Sequence, residues 1–210
     1  MFADRIDAGR RLGEVLVERG ETADVILAIP RGGLPVGREV ADALDTPLDV
    51  VVASKVGAPN NPELAIGAVA GDGSVWWNDD LLTYFPVEED YLERERQREA
   101  EAAREKVAMY RGGDPLPDLD GKRVVIVDDG IATGATVRAC LRQVNAAGAD
   151  HVVLAVPVAP EHSVAELEDE CDEVVAVETP VVFGAVGAFY QNFAQVSDDD
   201  AVGYLGGAGA

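Results

Sequence analysis

The chain of 210 residues is long enough for one domain, and it contains neither a membrane-length apolar run nor an N-terminal signal sequence, which predicts a single cytoplasmic domain without a membrane partner. Two cysteines, Cys140 and Cys171, are too few for a disulfide framework and lack metal-ligand spacing. A net charge of −22, from 39 acidic and 17 basic residues, argues against nucleic-acid binding and is typical of a halophile's cytoplasm.

Three elements are predicted in the first part of the chain. Apolar residues at helical spacing between Phe2 and Arg19 predict an amphipathic helix that packs on the core. The apolar run DVILAIP, Asp24 to Pro30, predicts a buried strand, and a second helix is expected from Leu34 to Leu44. The chain must therefore turn from a strand into a helix just after residue 30.

Arg31, Gly32 and Gly33 form this predicted turn. Glycine permits positive φ angles and a close approach between backbone and ligand, and the Arg31 guanidinium can bind phosphate oxygens in bidentate fashion. We interpret the turn as a phosphate-binding corner, with a plain tight turn as the alternative.

The next predicted strand, Leu48 to Ser54, would bring Lys55 to the same edge of the sheet. Lys55 is one of three lysines in the chain, which suggests contact with an anionic ligand, whereas the alternative is a lysine lying along the surface. Residues 57–77 are predicted to form two short strands joined at Gly71 to Gly73. Opposite charges at helical spacing predict a long solvated helix over residues 87–110.

The stretch VVIVDDGIATGAT, residues 124–136, is the most informative part of the sequence. Its first four residues predict a strand that is buried on both faces, and two carboxylates, Asp128 and Asp129, follow. The helix expected from Val137 to Ala147 would direct free N–H groups at a ligand, so the preceding loop is predicted to bind phosphate. The residues assigned to this cradle are Ala132, Thr133, Gly134, Ala135 and Thr136.

The two aspartates indicate what else the ligand carries. A bound phosphate would repel Asp128 and Asp129, so these carboxylates are expected to face either sugar hydroxyls or a divalent cation. A phosphate close to a vicinal diol describes a ribose 5-phosphate. An ordinary turn between a strand and an acidic helix start is the alternative.

The remaining elements set the fold class. Strands are predicted at residues 151–157 and 173–177, with a helix at 161–170 between them. Alternating strands and helices predict an α/β fold with an open, mainly parallel sheet that carries helices on both faces.

At residues 124–136 the sequence resembles the 5-phosphoribosyl 1-diphosphate (PRPP) motif of the type I phosphoribosyltransferases. Gly130 stands where that family usually has an apolar residue. The resemblance implies a Mg²⁺-dependent transferase that moves the 5-phosphoribosyl group of PRPP to a nitrogenous base and releases pyrophosphate. It implies that Asp128 and Asp129 are the catalytic pair, that they hold the ribose hydroxyls, and that they are the candidate Mg²⁺ ligands.

The resemblance also implies roles for three other segments. Arg31, Gly32, Gly33 and Lys55 would bind the pyrophosphate, and the hairpin at residues 57–77 would be flexible and close over the site. Residues 179–206 would contribute to a small hood built from the chain ends. The hood aromatics Phe183, Tyr190 and Phe193 are candidates for stacking on the acceptor base, and hydrophobic packing is the alternative.

The acceptor base is not identified by the resemblance. The hypoxanthine–guanine branch has an acidic residue where this loop has Ala132, and the adenine branch commonly has a glutamate where this chain has Val137. The expected partners are PRPP and a small nitrogenous base, with a homodimer as the assembly considered. The alternative function is a non-catalytic regulatory protein that senses PRPP.

Overall fold

A parallel sheet of five strands forms the centre of the computed structural model, which describes residues 1–206. In chain order the strands of the protein are β1 (Val25–Ala28), β2 (Leu48–Val50), β3 (Ala53–Ala58), β4 (Asn61–Ala70), β5 (Val75–Trp77), β6 (Arg123–Val127), β7 (His151–Val158) and β8 (Glu173–Glu178). The central sheet has the order β2-β1-β6-β7-β8, and all four of its pairings are parallel. The long apolar runs explain this arrangement, since seven of the eight residues of β7 are buried.

Helices cover both faces of this sheet. They are α1 (Arg5–Glu18), α2 (Gly33–Leu44), α3 (Asp79–Tyr84), α4 (Glu89–Arg111), α5 (Ala135–Ala146), α6 (Glu161–Leu167) and α7 (Asp198–Leu205), with a 3₁₀ helix at Val186–Phe189. Leu12 of α1 and Val40 of α2 pack on one face, and Leu141 of α5 packs on the other. The predicted α/β class is confirmed. Within residues 1–206, no helix combines the length and apolarity that crossing a membrane requires.

The strand predicted from Leu48 to Ser54 is wrong, because this run is divided between two sheets. Val51 donates its N–H to the carbonyl of Ala28 in the central sheet, while the carbonyl of Val52 accepts from Gly71 of the second sheet. The second sheet is antiparallel, in the order β3-β4-β5. Lys55 therefore lies within β3 opposite Ala68, and not at the end of a central strand.

The base of the predicted hairpin is packed into the protein. Ile66 and Val69 of β4 are buried against Ala100 of α4, and Trp76 of β5 joins the main core beside α5. The turn between β4 and β5 lies at residues 71–74, where a join was predicted. The neighbouring β3–β4 hairpin is exposed at its tip, residues 59–63.

Residues near both ends of the described chain meet in the segment predicted to form the hood. Phe2 donates its N–H to the carbonyl of Phe189 and accepts a hydrogen bond from the N–H of Gln191, both at 2.8 Å. Phe2 is fully buried together with Tyr190. Helix α7 continues the C-terminal segment and packs on α2 and α4. The hood thus lies beside the C-terminal ends of the central strands.

Candidate active site

The glycine turn and the acidic pair meet because β1 and β6 are neighbours. Ala28 pairs with Val127, so the chain leaves both strands at the same edge of the sheet. A side chain at Gly32 would place its Cβ 2.6 Å from Cγ of Asp129, and a side chain at Gly33 would approach the carbonyl of Val127 to 2.7 Å. Glycine at position 33 is therefore required by the backbone, and glycine at position 32 leaves the space that the Asp129 carboxylate occupies. The Pro30–Arg31 peptide bond is cis.

The two carboxylates are held in different ways. Asp128 Oδ1 accepts a hydrogen bond from the backbone N–H of Asp129 at 2.8 Å, and Asp129 Oδ2 accepts from Arg5 Nε at 2.7 Å. Burial and the neighbouring Asp129 charge raise the pKa of Asp128 well above its usual value. Burial also raises the pKa of Asp129, although the Arg5 guanidinium opposes this shift. The pair is thus desolvated, and a ligand with positive charge or hydroxyl donors would relieve its repulsion.

Arg5 is a site residue that the sequence did not reveal. Its Nη1 donates to the carbonyl of Ala194 at 2.7 Å, and its guanidinium lies 3.8 Å from the ring centroid of Phe193. The Arg5 side chain is 12% exposed and that of Asp129 is 15% exposed. A buried ion pair of this kind fixes both partners. Arg5 consequently links the hood to the acidic pair.

The loop predicted to bind phosphate, residues 130–136, ends in backbone N–H groups without a hydrogen-bond partner among the described residues. Within residues 1–206, no hydrogen-bond acceptor lies in range of the N–H groups of Ala135, Thr136 and Val137, and the first bond back into the loop runs from Arg138 to the Gly134 carbonyl. Gly134 has a φ of 72°, and no acidic residue lies in the first turn of α5. Unpaired N–H groups at the start of a twelve-residue helix can bind an anion such as phosphate.

The side chains of this loop divide into exposed and buried groups. Ala132 and Thr133 are exposed, Thr136 is half-buried, and Gly134 and Ala135 are buried. Ser163 Oγ donates to the Ala132 carbonyl at 3.2 Å, so the loop is also held from α6. The two threonines are therefore the hydroxyl-bearing residues beside the open N–H groups.

Gly130 connects the loop to the hood. Its φ is 155°, and a Cβ at this position would lie 2.6 Å from Val186 Cγ1 and 3.1 Å from the Val158 carbonyl. A larger residue would collide with the 3₁₀ helix. This contact explains why glycine occupies a position where an apolar side chain was expected.

The predicted pyrophosphate residues do not all converge. Arg31 Nη1 lies 3.6 Å from Asp198 Oδ2 at the start of α7, beside the glycine turn. Lys55 points from β3 and lies 3.6 Å from Glu63 Oε2 near the hairpin tip. The Arg31 side chain is thus directed at α7 from the turn whose Gly32 approaches Asp129, whereas Lys55 belongs to the hairpin.

The hood aromatics pack mainly on one another. Phe183 is stacked on Phe189 with their centroids 5.4 Å apart. Tyr190 is 6% exposed, lies between Phe2 and Phe193, and donates its hydroxyl to the Asp129 carbonyl at 2.6 Å. Burial, followed by the Asp129 charge, raises the pKa of Tyr190. Tyr190 therefore supports the backbone of the acidic pair, a position that differs from the expected stacking surface.

Comparison with known proteins finds a matching family model and similar sequences. A family model described as "Phosphoribosyl transferase domain" matches residues 3–191. Two Mycobacterium tuberculosis proteins, from strains CDC 1551 / Oshkosh and H37Rv, are provisionally named phosphoribosyl transferases and are each 47% identical over 206 residues, which is 98% of this chain. The chain spans 46%, about half, of the length of these relatives.

A solved structure is similar over nearly its full length. The crystal structure of TT1426 from Thermus thermophilus has a TM-score of 0.81 and 44% sequence identity, and the match covers 98% of this chain and 97% of that one.

Proposed function

Because the chain belongs to the phosphoribosyl transferase domain family, we propose that it transfers the 5-phosphoribosyl group of PRPP to a nitrogenous base and releases pyrophosphate. The observation that carries the proposal is the meeting of three features at one edge of the sheet: open N–H groups at α5, a desolvated carboxylate pair, and the glycine turn with Arg31. These features match the three charged or polar parts of PRPP.

Each part of the substrate has a partner in this proposal. The N–H groups of Ala135, Thr136 and Val137 bind the 5-phosphate, and the Thr133 hydroxyl adds a donor. Arg31 and the glycine turn bind the diphosphate leaving group. With both ends of the sugar fixed, the anomeric carbon is held in line for the incoming base.

In this proposal the acidic pair stabilises the transition state electrostatically. Asp128 and Asp129 accept hydrogen bonds from the ribose hydroxyls, and their charge stabilises the positive charge that develops on the sugar as the diphosphate departs. Tyr190 and Arg5 hold Asp129 from the hood side. The geometry of the pair therefore depends on the hood as well as on β6.

Mg²⁺ is the proposed cofactor. The ion commonly takes one or two carboxylates together with substrate phosphate oxygens, and Asp128 and Asp129 are carboxylates of the right type. In this proposal the substrate phosphate oxygens provide the remaining ligands. When bound, Mg²⁺ neutralises charge on the leaving diphosphate.

The test is pyrophosphate release from PRPP and Mg²⁺ with a panel of purines, pyrimidines and related flat heterocycles, performed in molar KCl. Asp129→Asn keeps the side-chain size and removes its charge, so an enzyme should lose turnover much more than PRPP affinity. Because Arg5 loses its charged partner in this variant, a native circular dichroism spectrum is the control. Tight PRPP binding without release for any base would refute the enzyme and favour the PRPP sensor.

A further inference from the structure

A cavity of about 530 Å³ lies between α4, the corner at Pro30 and Arg31, and the start of α7. Its polar groups are two cations, two carboxylates and one phenol, from Arg31, Lys106, Glu105, Asp198 and Tyr110. The cavity adjoins the glycine turn, so a ligand that reaches Arg31 from the turn also reaches this space. Helix α4 takes no part in the proposed transfer, and its sequence pattern predicts only a solvated helix.

Lys106 is an unusual residue in a protein that has three lysines. Its Nζ donates to the Ala53 carbonyl at 2.8 Å, which leaves two further N–H donors. In the part of the chain that the structure describes, no carboxylate oxygen lies within 4.0 Å of this ammonium group. The nearby Glu99 is engaged elsewhere, because its carboxylate accepts from Ser54 Oγ at 2.7 Å and from Arg98.

Burial makes this charge costly. Burial lowers the pKa of Lys106, whereas Glu99 at longer range raises it. A cation that is largely removed from water without an ion-pair partner destabilises a fold unless it serves a purpose. An anion bound in the cavity would provide the missing partner for this ammonium group.

Arg31 remains available for the same anion. Its Nη1 is 3.6 Å from Asp198 Oδ2, which is longer than a hydrogen bond, and Asp198 is already held by the Tyr110 hydroxyl at 2.8 Å. Two cations from different elements, the turn after β1 and helix α4, therefore contribute to one cavity.

We propose that Lys106 is a second cation for the diphosphate group, and that it acts together with Arg31. The inference rests on the proposed function, since it concerns the diphosphate of the same substrate. It gives Lys106 the role that the sequence suggested for Lys55, which instead lies in the hairpin near Glu63. The chemical requirement is a ligand with two adjacent phosphate groups, large enough to contact both cations.

The experiment is calorimetric titration in molar KCl with two separate probes, Mg²⁺–pyrophosphate and ribose 5-phosphate. We expect Lys106→Met to weaken pyrophosphate binding about tenfold or more, because one ionic contact is lost, and to change ribose 5-phosphate affinity less than twofold. Lys106→Gln, which retains an N–H donor for the Ala53 carbonyl, should behave in the same way. The matched control is Lys122→Met, which removes the same charge from an exposed position just before β6.

The outcomes separate the inference from the function on which it rests. Unchanged pyrophosphate affinity in a folded Lys106 variant, while the wild type binds both probes, would overturn the role of Lys106 alone. An equal loss with Lys122→Met would also overturn it, since net charge would then explain the effect. A wild type that binds neither probe would overturn the proposed function itself. Circular dichroism and melting temperatures identify the folded variants.

Discussion

Gly32→Ala tests the contact between the glycine turn and the acidic pair. The new Cβ would lie 2.6 Å from Cγ of Asp129 and nearer still to Oδ2, whereas carbon atoms pack at about 3.5–4.0 Å. The carboxylate must therefore move by about 1 Å. Its hydrogen bond to Arg5 Nε, now 2.7 Å, would lengthen beyond the usual limit of about 3.2 Å.

The expected cost follows from the burial of the Arg5–Asp129 pair. Removing one partner of a buried pair costs about 3–5 kcal/mol, and a displaced carboxylate should lose less, about 2 kcal/mol. In a chain of this size that corresponds to a fall of about 4–8 °C in melting temperature. A 1 Å misplacement of a catalytic group should also reduce turnover by about 10²-fold.

Differential scanning calorimetry and the pyrophosphate-release assay measure the two effects. Gly184→Ala is the matched control, because a Cβ there meets no atom within 4 Å, and it should melt and react like the wild type. If Gly32→Ala has the melting temperature and the turnover of the wild type, the packing of the turn against Asp129 does not organise the site.

Two further predictions concern the phosphate loop and the charge of the protein. Gly134→Val should abolish PRPP binding in calorimetric titration while the circular dichroism spectrum stays native. A Cβ at this position would meet its nearest atoms at 3.7 Å and would not collide, so the expected effect comes from the φ of 72°, which a β-branched residue rarely adopts. Retained PRPP affinity would contradict the loop assignment. The melting temperature should rise steeply between dilute buffer and about 1 M KCl, where the screening length is about 3 Å, and a flat profile would remove the argument for a halophile.

The sequence predicted the corner from β6 to α5 because its determinants are local. A buried apolar run, two carboxylates and a glycine-containing loop are adjacent in the chain, so strand, loop and helix follow in order. The strand predicted from Leu48 to Ser54 failed for the opposite reason. Its division depends on residues far away in the sequence, because Val51 bonds to Ala28 of β1 and Val52 bonds to Gly71 just after β4.

The role of Arg5 could not be predicted from its surroundings in the sequence. Helical periodicity identifies the apolar face of α1 and treats Arg5 as one of several surface cations, whereas its partner Asp129 is 124 residues away. Tyr190 presented the same difficulty, since its hydroxyl bonds a carbonyl 61 residues distant. An aromatic residue near a chain end predicts burial or stacking, but the pattern does not reveal which partner it meets.

The strand pairing of the β3–β4 hairpin limits the conformational entropy that the proposed closure over the site would cost. A register shift in this pairing lies at residues 56–58, between the packed base and the exposed tip at 59–63. Ordering the backbone of one residue costs about 1–2 kcal/mol, and only residues 59 and 60 lie between β3 and β4, so fixing them would cost about 2–4 kcal/mol. Ordering all of residues 57–77 from a disordered state would cost several times more. Because the base is already packed, the proposed closure would leave substrate binding only the smaller entropy loss to offset.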